Sequence, residues 1–351
     1  MRAARFHGRG DIRVDDVPEP RVGPGTVLVE VEWCGICGTD LHEYLEGPIF
    51  VPTGEAPHPL TGESLPVTLG HEFAGVVAEV GAGVDDVRAG DRVVVEPYVV
   101  CGSCDACRQG RYNVCRTLGF VGLSGGGGGF SRYVVAERRW IHPLGDLGTD
   151  VGALIEPLAV AHHAVRLSGA RPGHSAVVFG AGPIGLVTTA ALTAAGVEHV
   201  VVVEPAEARK QKAGVAGAAA VLDPREVDVV EAVDELTQGR GADVTFECAG
   251  VDQVLATAIR STRVGGTCVN VAIWGHEARV AMNDLVFREV SVVGSLAYAD
   301  DHPATIEMVA SGRVDPFQFI TGRIGLEDIV EEGFRELIDN KEENVKILVQ
   351  P

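Results

Sequence analysis

"SAVVFGAGPIGL", Ser175 to Leu186, runs five strand-forming residues straight into three glycines spaced Gly180-x-Gly182-x-x-Gly185. The apolar segment that follows reads as a helix. In this arrangement Gly180 permits a tight turn, Gly182 lets backbone approach a pyrophosphate, and Gly185 lets helix and strand pack closely. The helix start then offers N–H groups and a positive dipole to phosphate oxygens. A glycine triplet is also ordinary turn chemistry, so its surroundings decide. Nineteen residues beyond Gly185 the strand-like "VVVVE" ends in Glu204. A carboxylate there binds the adenine ribose hydroxyls and repels a 2′-phosphate, which favours NAD over NADP. Arg209 pulls the other way as a phosphate-seeking group; adenine stacking or a surface ion pair are its plainer readings.

Working outward, the region after Pro172 alternates regularly. Strand-like runs stand at "SAVVF", "HVVVVE", "AAVLD", "DVTFEC", "GTCVNVAIW" and "VSVVGS", and helix-like runs rich in Ala, Glu, Lys and Leu separate the first five. This pattern predicts about six parallel strands buried on both faces, a doubly wound α/β sheet. Ala176 to Val197 contains no charge over 22 residues, but its four Gly, one Pro and three Thr suit a buried strand-turn-helix better than a membrane span.

The first 140 residues have a different texture. "TVLVEVEW" (26–33), "FAGVVAEV", "DRVVVEP" and "FSRYVVA" are short β-branched runs set off by Gly, which predicts a small barrel or sandwich. Val151 to Ser168 then reads as one helix. From about Asp300 the chain returns to mixed helix and strand. Gly47 to Pro66, with five Pro and three Gly, reads as a long loop ordered by local stiffness; the five-glycine run at 125–129 reads as a flexible loop.

The composition agrees with this division. A chain of 351 residues exceeds one ordinary core, and 46% hydrophobic with 22% charged residues indicates a folded globular protein. A net charge of −20 argues against a nucleic-acid partner, since nothing would offset repulsion from a phosphate backbone. The N-terminal "MRAARFHGRGDIRV" has no apolar core of a secretion signal, so a cytoplasmic location without membrane attachment is expected. In that compartment clustered cysteines indicate metal or catalysis before disulfides.

Four of the eight cysteines lie in "CGSCDACRQGRYNVC", as Cys101-x2-Cys104-x2-Cys107-x7-Cys115. Four thiolates over fifteen residues can enclose a tetrahedral Zn²⁺ and leave no open position, so this zinc would be structural. A ferredoxin-type cluster also begins C-x2-C-x2-C, but continues x3-C-P, whereas here the gap is seven and Arg116 follows.

"CGICGTDLHEY", Cys34 to Tyr44, holds a second pair. A redox dithiol would need a helix opening at the motif in a thioredoxin-like unit. Cys34 instead ends an alternating strand, which leaves Cys37 as a single metal ligand and Cys34 as a small buried apolar residue. A catalytic zinc needs two further protein ligands and one open position. His71 in "LGHEFAG" and Glu156 in "LIEPLAV" are candidates, a satisfied core histidine and a buried ion-pair carboxylate being their plainer readings.

Taken in order, "CGICGTDLHEY", "GHEFAGVVAEVG", "AGDRVVVEP", the four-cysteine lobe, "EPLAVAHHAV" and "VFGAGPIGL" resemble the zinc-dependent medium-chain dehydrogenase/reductase family over nearly the whole chain. Within it, "DLHEYLEGPIF", "GFVGLSGGGGGFSRYVV" and "NVAIWG" are most similar to the 2,3-butanediol dehydrogenases, with sorbitol and other polyol dehydrogenases next. The resemblance implies a GroES-like β-barrel catalytic domain, residues 1–155 with 297–351 returning to it, and a Rossmann NAD-binding domain at 156–296. It implies that Cys37, His71 and Glu156 hold a catalytic zinc, with Glu72 as a supporting or alternate ligand. Thr39 and His42 match the family's proton relay. Coenzyme contacts extend from the glycine motif to Pro183, Ile184, Val271, Ala272, Ser295 and Leu296. Two zinc ions per chain, a vicinal diol or hydroxyketone substrate and a homodimer or homotetramer follow from the same resemblance. The expected reaction is interconversion of 2,3-butanediol and acetoin, with reduction of diacetyl. A polyol (sorbitol-like) dehydrogenase is the alternative enzyme, and an inactive NAD-binding structural or regulatory protein the alternative of another class. The second reading predicts erosion at Cys37, Thr39, His42, His71 or Glu156, yet all five positions carry competent groups.

Overall fold

The structure is a computed structural model that describes every residue, Met1–Pro351. The chain divides into two units. One comprises Met1–Glu156, His302–Ala310 and Phe319–Pro351; the other comprises Pro157–Asp301 and Ser311–Gln318. The crossings at Glu156/Pro157 and Asp301/His302 compare with expected domain edges at 155/156 and 296/297.

The second unit is built on a six-stranded sheet in which every pairing is parallel. In space the strands run Ala220–Leu222, His199–Val203, Ser175–Phe179, Ala242–Glu247, Thr262–Asn270, Ser291–Gly294. Side chains alternate across a strand, so a run buried at every position is covered on both faces. Ala176, Val177, Val178 and Phe179 are each 1% exposed or less, which meets that condition. Helices Pro183–Ala194, Glu207–Val215, Val229–Leu236, Asp252–Ser261 and the short Met282–Val286 lie in the five crossovers. The order reverses between Ser175–Phe179 and Ala242–Glu247. That is the switch point, where the carboxyl ends of parallel strands leave a crevice for a ligand.

The first unit is β-rich, as its alternating runs predict. Thr26–Gly35 is its organising strand: one end pairs with Tyr133–Glu137, the other with the C-terminal Lys346–Gln350, and Glu72–Val80 runs antiparallel along it. Arg92–Val95, Ile141–Pro143 and Ile320–Gly325 complete a seven-stranded sheet. Its core gathers Val27, Val29, Val31, Phe73, Phe130, Ile347 and Val349, so the C-terminal tail is part of the barrel core. No helix of the protein is long and apolar enough to cross a membrane.

Two local expectations give way. Val151–Ser168 is not one helix but two, Thr149–Gly152 and Ile155–Ser168. Pro157 explains the break: its ring would collide with the Ala153 carbonyl of a continuous helix and it has no N–H to donate. The glycine run 125–129 is packed in place. A side chain at Gly128 would strike the carbonyls of Thr68 and Leu69, and one at Gly129 would strike Cys34 and Phe73. The Gly126 N–H also donates to Glu63 at 2.9 Å, and the Thr61 hydroxyl donates to the Ser124 carbonyl at 2.7 Å. The glycines thus hold the long 47–66 loop. Its near end is fixed by the buried Glu43 carboxylate, which accepts the N–H groups of Ile49, Phe50 and Val51.

Candidate metal centres and dinucleotide site

Cys37 caps the N-terminus of the helix Gly38–Glu46, in extended conformation. Asp40, three residues on and wholly buried, turns one carboxylate oxygen back to accept the Cys37 N–H at 2.9 Å. Its other oxygen faces His71 Nδ1 at 3.6 Å, and neither atom has a hydrogen-bond partner. One carboxylate therefore fixes the thiol's backbone and sets a negative charge beside the imidazole. Glu72 opens the strand Glu72–Val80, opposite Gly35 in the ladder. The ligand atoms of Cys37, His71 and Glu72 all lie within 4.8 Å of one another.

This is a sulfur, nitrogen and oxygen set in a closed environment. Burial pushes the Cys37 thiol up, with the Glu72 charge adding to it. Burial also opposes an imidazolium at His71, but the charges of Asp40 and Cys37 outweigh it and hold the ring well above its usual value. A divalent cation would displace these protons and satisfy the donors; the set suits Zn²⁺. The Asp40–His71 contact has the form of the carboxylate–histidine support typical of metal ligands.

Glu156 is buried in the first turn of Ile155–Ser168 but is not one of these three clustered groups. It lies within electrostatic reach of Lys346, whose ammonium also binds Glu72. Thr39 and His42 sit three residues apart on the helix Gly38–Glu46 and so share a face, Thr39 half-buried and His42 exposed. Cys34 is a free buried thiol.

Cys101, Cys104, Cys107 and Cys115 bring their four sulfurs within 4.8 Å of one another. Backbone N–H groups point inward, from Cys104 to the Cys101 sulfur at 3.3 Å and from Cys101 to the Cys115 sulfur at 3.4 Å. N–H groups of Ser103 and Cys104 lower Cys101 to about 5, whereas burial and the Cys104 thiol push Cys107 up to about 12. Four crowded thiols cannot all ionise against one another. A tetrahedral divalent ion removes that conflict, and the residues fit a structural zinc.

In the second unit Gly180 lies at φ +97° and Gly182 caps the helix Pro183–Ala194, with Pro183 in its first turn. A side chain at Gly185 would collide with the Gly180 carbonyl. The buried Glu204 carboxylate accepts the N–H of Ala181 and of Ala206, each at 2.8 Å, and so ties the strand end to the glycine turn. Val271 and Ala272 follow the carboxyl end of Thr262–Asn270, their N–H groups donating to the Glu247 carbonyl at 2.9 and 3.2 Å. Ser295 follows Ser291–Gly294 and donates its N–H to Asn270. All these positions border the carboxyl edge of one sheet.

Sequence reasoning missed three supporting residues: Asp40, Lys346 and Glu247. The Glu247 carboxylate, completely buried, accepts N–H groups of Ala249 and Gly250 and is pushed up by burial. Asp40 reads as an ordinary helix-start acid; Lys346 did leave a signal, as a charge inside the apolar run "VKILV".

Both parts of the chain are similar to known proteins. Residues 23–146 match the alcohol dehydrogenase GroES-like domain, and residues 183–311 match the zinc-binding dehydrogenase family. The chain is 50% identical over 353 residues to an (R,R)-butanediol dehydrogenase of Neisseria gonorrhoeae, covering 100% of this chain and 99% of the relative. It is 48% identical over 352 residues to the (R,R)-butanediol dehydrogenase of Bacillus subtilis, covering 100% of both. The crystal structure of 2R,3R-butanediol dehydrogenase from Bacillus subtilis superposes with a TM-score of 0.94 at 47% identity, covering 100% of this chain and 99% of that one.

Proposed function

The chain belongs to the zinc-binding alcohol dehydrogenases with a GroES-like domain, and from that premise we propose an NAD-dependent enzyme that interconverts (R,R)-2,3-butanediol and acetoin. One observation carries this reading. The cluster of half-buried Cys37 with buried His71 and Glu72 stands in a chain matched end to end by relatives named for that diol.

Cys37 and His71 would hold the catalytic zinc, with Glu156 as the third ligand and Glu72 as the alternate. Two carboxylates and a thiolate would overcompensate a divalent ion; Lys346, bound to Glu72 and near Glu156, offsets the excess. Zinc supplies Lewis acidity, the effect that brings water from about 15.7 to about 7 and that acts likewise on a carbinol hydroxyl. Asp40 sets a negative charge beside the His71 ring. NAD, when bound, would serve as the hydride acceptor; the Thr39 hydroxyl would take the carbinol proton as it passes its own on toward exposed His42, which shares its helix face and would release the proton to solvent. Cys101, Cys104, Cys107 and Cys115 would hold the structural zinc.

Coenzyme preference rests on Glu204, whose carboxylate occupies the strand end where a 2′-phosphate would have to sit. The cations beside it are already engaged: Lys210 and Arg225 both bind Asp223, and Arg225 holds that carboxyl well below the usual range. A homo-oligomer, dimer or tetramer, is supported by the sheet's last strand, Ser291–Gly294. It is paired on one side only, and Met282, Val286, Phe287 and Val292 are exposed on or near it.

The test is an initial-rate assay at the NADH absorbance band with the separate butanediol stereoisomers and sorbitol. Turnover on the (R,R) isomer is expected. A preference for sorbitol would replace this reading with the polyol one, and silence with every alcohol would point to a non-enzymatic NAD-binding protein.

A further inference from the structure

Glu96, His142 and His302 belong to neither cysteine-bearing cluster, and we propose that they form a further divalent-metal site of the first transition row. Glu96 directly follows the strand Arg92–Val95, and His142 stands on Ile141–Pro143, which pairs antiparallel with it. The Glu96 N–H donates to the Trp140 carbonyl at 2.8 Å, which sets the carboxylate and the imidazole side by side. His302 opens the helix His302–Ala310, where the chain rejoins this unit. It brings its ring to 5.1 Å from that of His142, the planes 21° apart.

The three ligand atoms lie within 4.8 Å of one another. One oxygen of Glu96 faces both rings, at 2.9 Å from His142 Nε2 and 3.8 Å from His302 Nδ1. The other oxygen accepts the Tyr112 hydroxyl at 2.8 Å, so the carboxylate is held in orientation from behind, as metal-ligating carboxylates are. Glu96 is 2% exposed and His302 0%, while 17% of the His142 side chain reaches solvent and provides a path for ion and water. A simple histidine–glutamate hydrogen bond explains the 2.9 Å contact. It does not explain why a second imidazole approaches the same oxygen. Two neutral imidazoles and one carboxylate are a common donor set for zinc and its neighbours, with bonds of about 2.0–2.2 Å that small side-chain shifts would reach. Such an ion would staple the returning helix to the strand pair and, through Tyr112, to the four-cysteine lobe.

The experiment compares zinc content of the full-length protein, wild type against His142→Ala and Glu96→Gln, after saturation with zinc and removal of the free ion. Wild type should carry one more zinc per chain than either variant, with turnover on the alcohol substrate retained in all three. The difference, not the total, reads this proposal, so it fails separately from the two cysteine-bearing centres. Equal metal content would overturn it. Should either variant fold poorly, anomalous scattering at the zinc edge from wild-type crystals decides alone: a peak among Glu96, His142 and His302 supports the site, and none there overturns it.

Discussion

Lys346 Nζ donates to both carboxylate oxygens of Glu72, at 2.7 and 2.5 Å, in a pair that is 4% and 1% exposed. The same ammonium donates to the Ile36 carbonyl at 3.1 Å. Gly35 makes room for it, since any side chain there would collide with the Glu72 carboxylate. Removing one partner from such a pair leaves a buried charge without compensation, which costs about 3–5 kcal/mol. Lys346→Met should therefore lower the urea unfolding free energy by that amount, and adding Glu72→Gln should recover most of it. A single variant as stable as wild type would show that the pair contributes nothing.

That pair also marks what the sequence does and does not disclose. The parallel sheet and the glycine turn were legible because buried strands read as unbroken β-branched runs, and the turn at Gly180 and close packing at Gly185 each admit one residue type. Cys37 and His71 were legible as donors. Asp40 and Glu247 were not, because a buried carboxylate looks like a surface one until its N–H partners are known. The glycine run misled for a related reason: composition records freedom of the isolated backbone, while Gly128 and Gly129 are small because Leu69 and Cys34 press against them. Pro157 could have located the helix break from the sequence alone.

Cys37→Ser separates metal chemistry from coenzyme binding. The oxygen is a poorer zinc ligand than a thiolate, and the cap geometry set by Asp40 depends on the Cys37 backbone, so the local fold should persist. Turnover should fall by at least about a thousandfold, on the order of 4 kcal/mol in the barrier. NAD affinity measured by fluorescence titration should stay within about threefold. Wild-type turnover would refute the ligand assignment.

Chelation should remove the two expected zinc ions in order. The four-cysteine site is closed and braced by inward N–H groups, whereas the catalytic site needs an open position that admits a chelator. Activity should vanish while circular dichroism and the unfolding midpoint are still near their starting values. Loss of turnover and of structure together would refute the order.

Asp301 should set an acid limb of stability in the second unit. It binds His163 Nδ1 at 2.7 Å and Arg166 Nε at 3.0 Å, and although burial opposes its charge these partners lower it from 3.8 to about 2. A carboxyl lowered on folding stabilises above its unfolded value and loses that contribution as pH falls through the folded one. The stability gap between wild type and Asp301→Asn should narrow as pH falls from about 4 to about 2. A gap independent of pH would mean that asparagine fails for packing reasons alone.

Glu204 is the sharpest test of coenzyme choice. Its two oxygens already accept the N–H groups of Ala181 and Ala206, so the carboxylate shapes the glycine turn and would also place negative charge at the ribose of a bound coenzyme. Glu204→Gln keeps the size and one acceptor oxygen but removes the charge; Glu204→Ala removes both. NAD binding should weaken by about tenfold in the first variant and about a hundredfold in the second, in line with roughly 1–3 kcal/mol for hydrogen bonds to a charged group. NADP should gain relative to NAD in both, because the repulsion is gone in both. If Glu204→Ala loses NAD affinity while Glu204→Gln keeps full discrimination against NADP, the residue acts by holding the turn and the preference resides elsewhere.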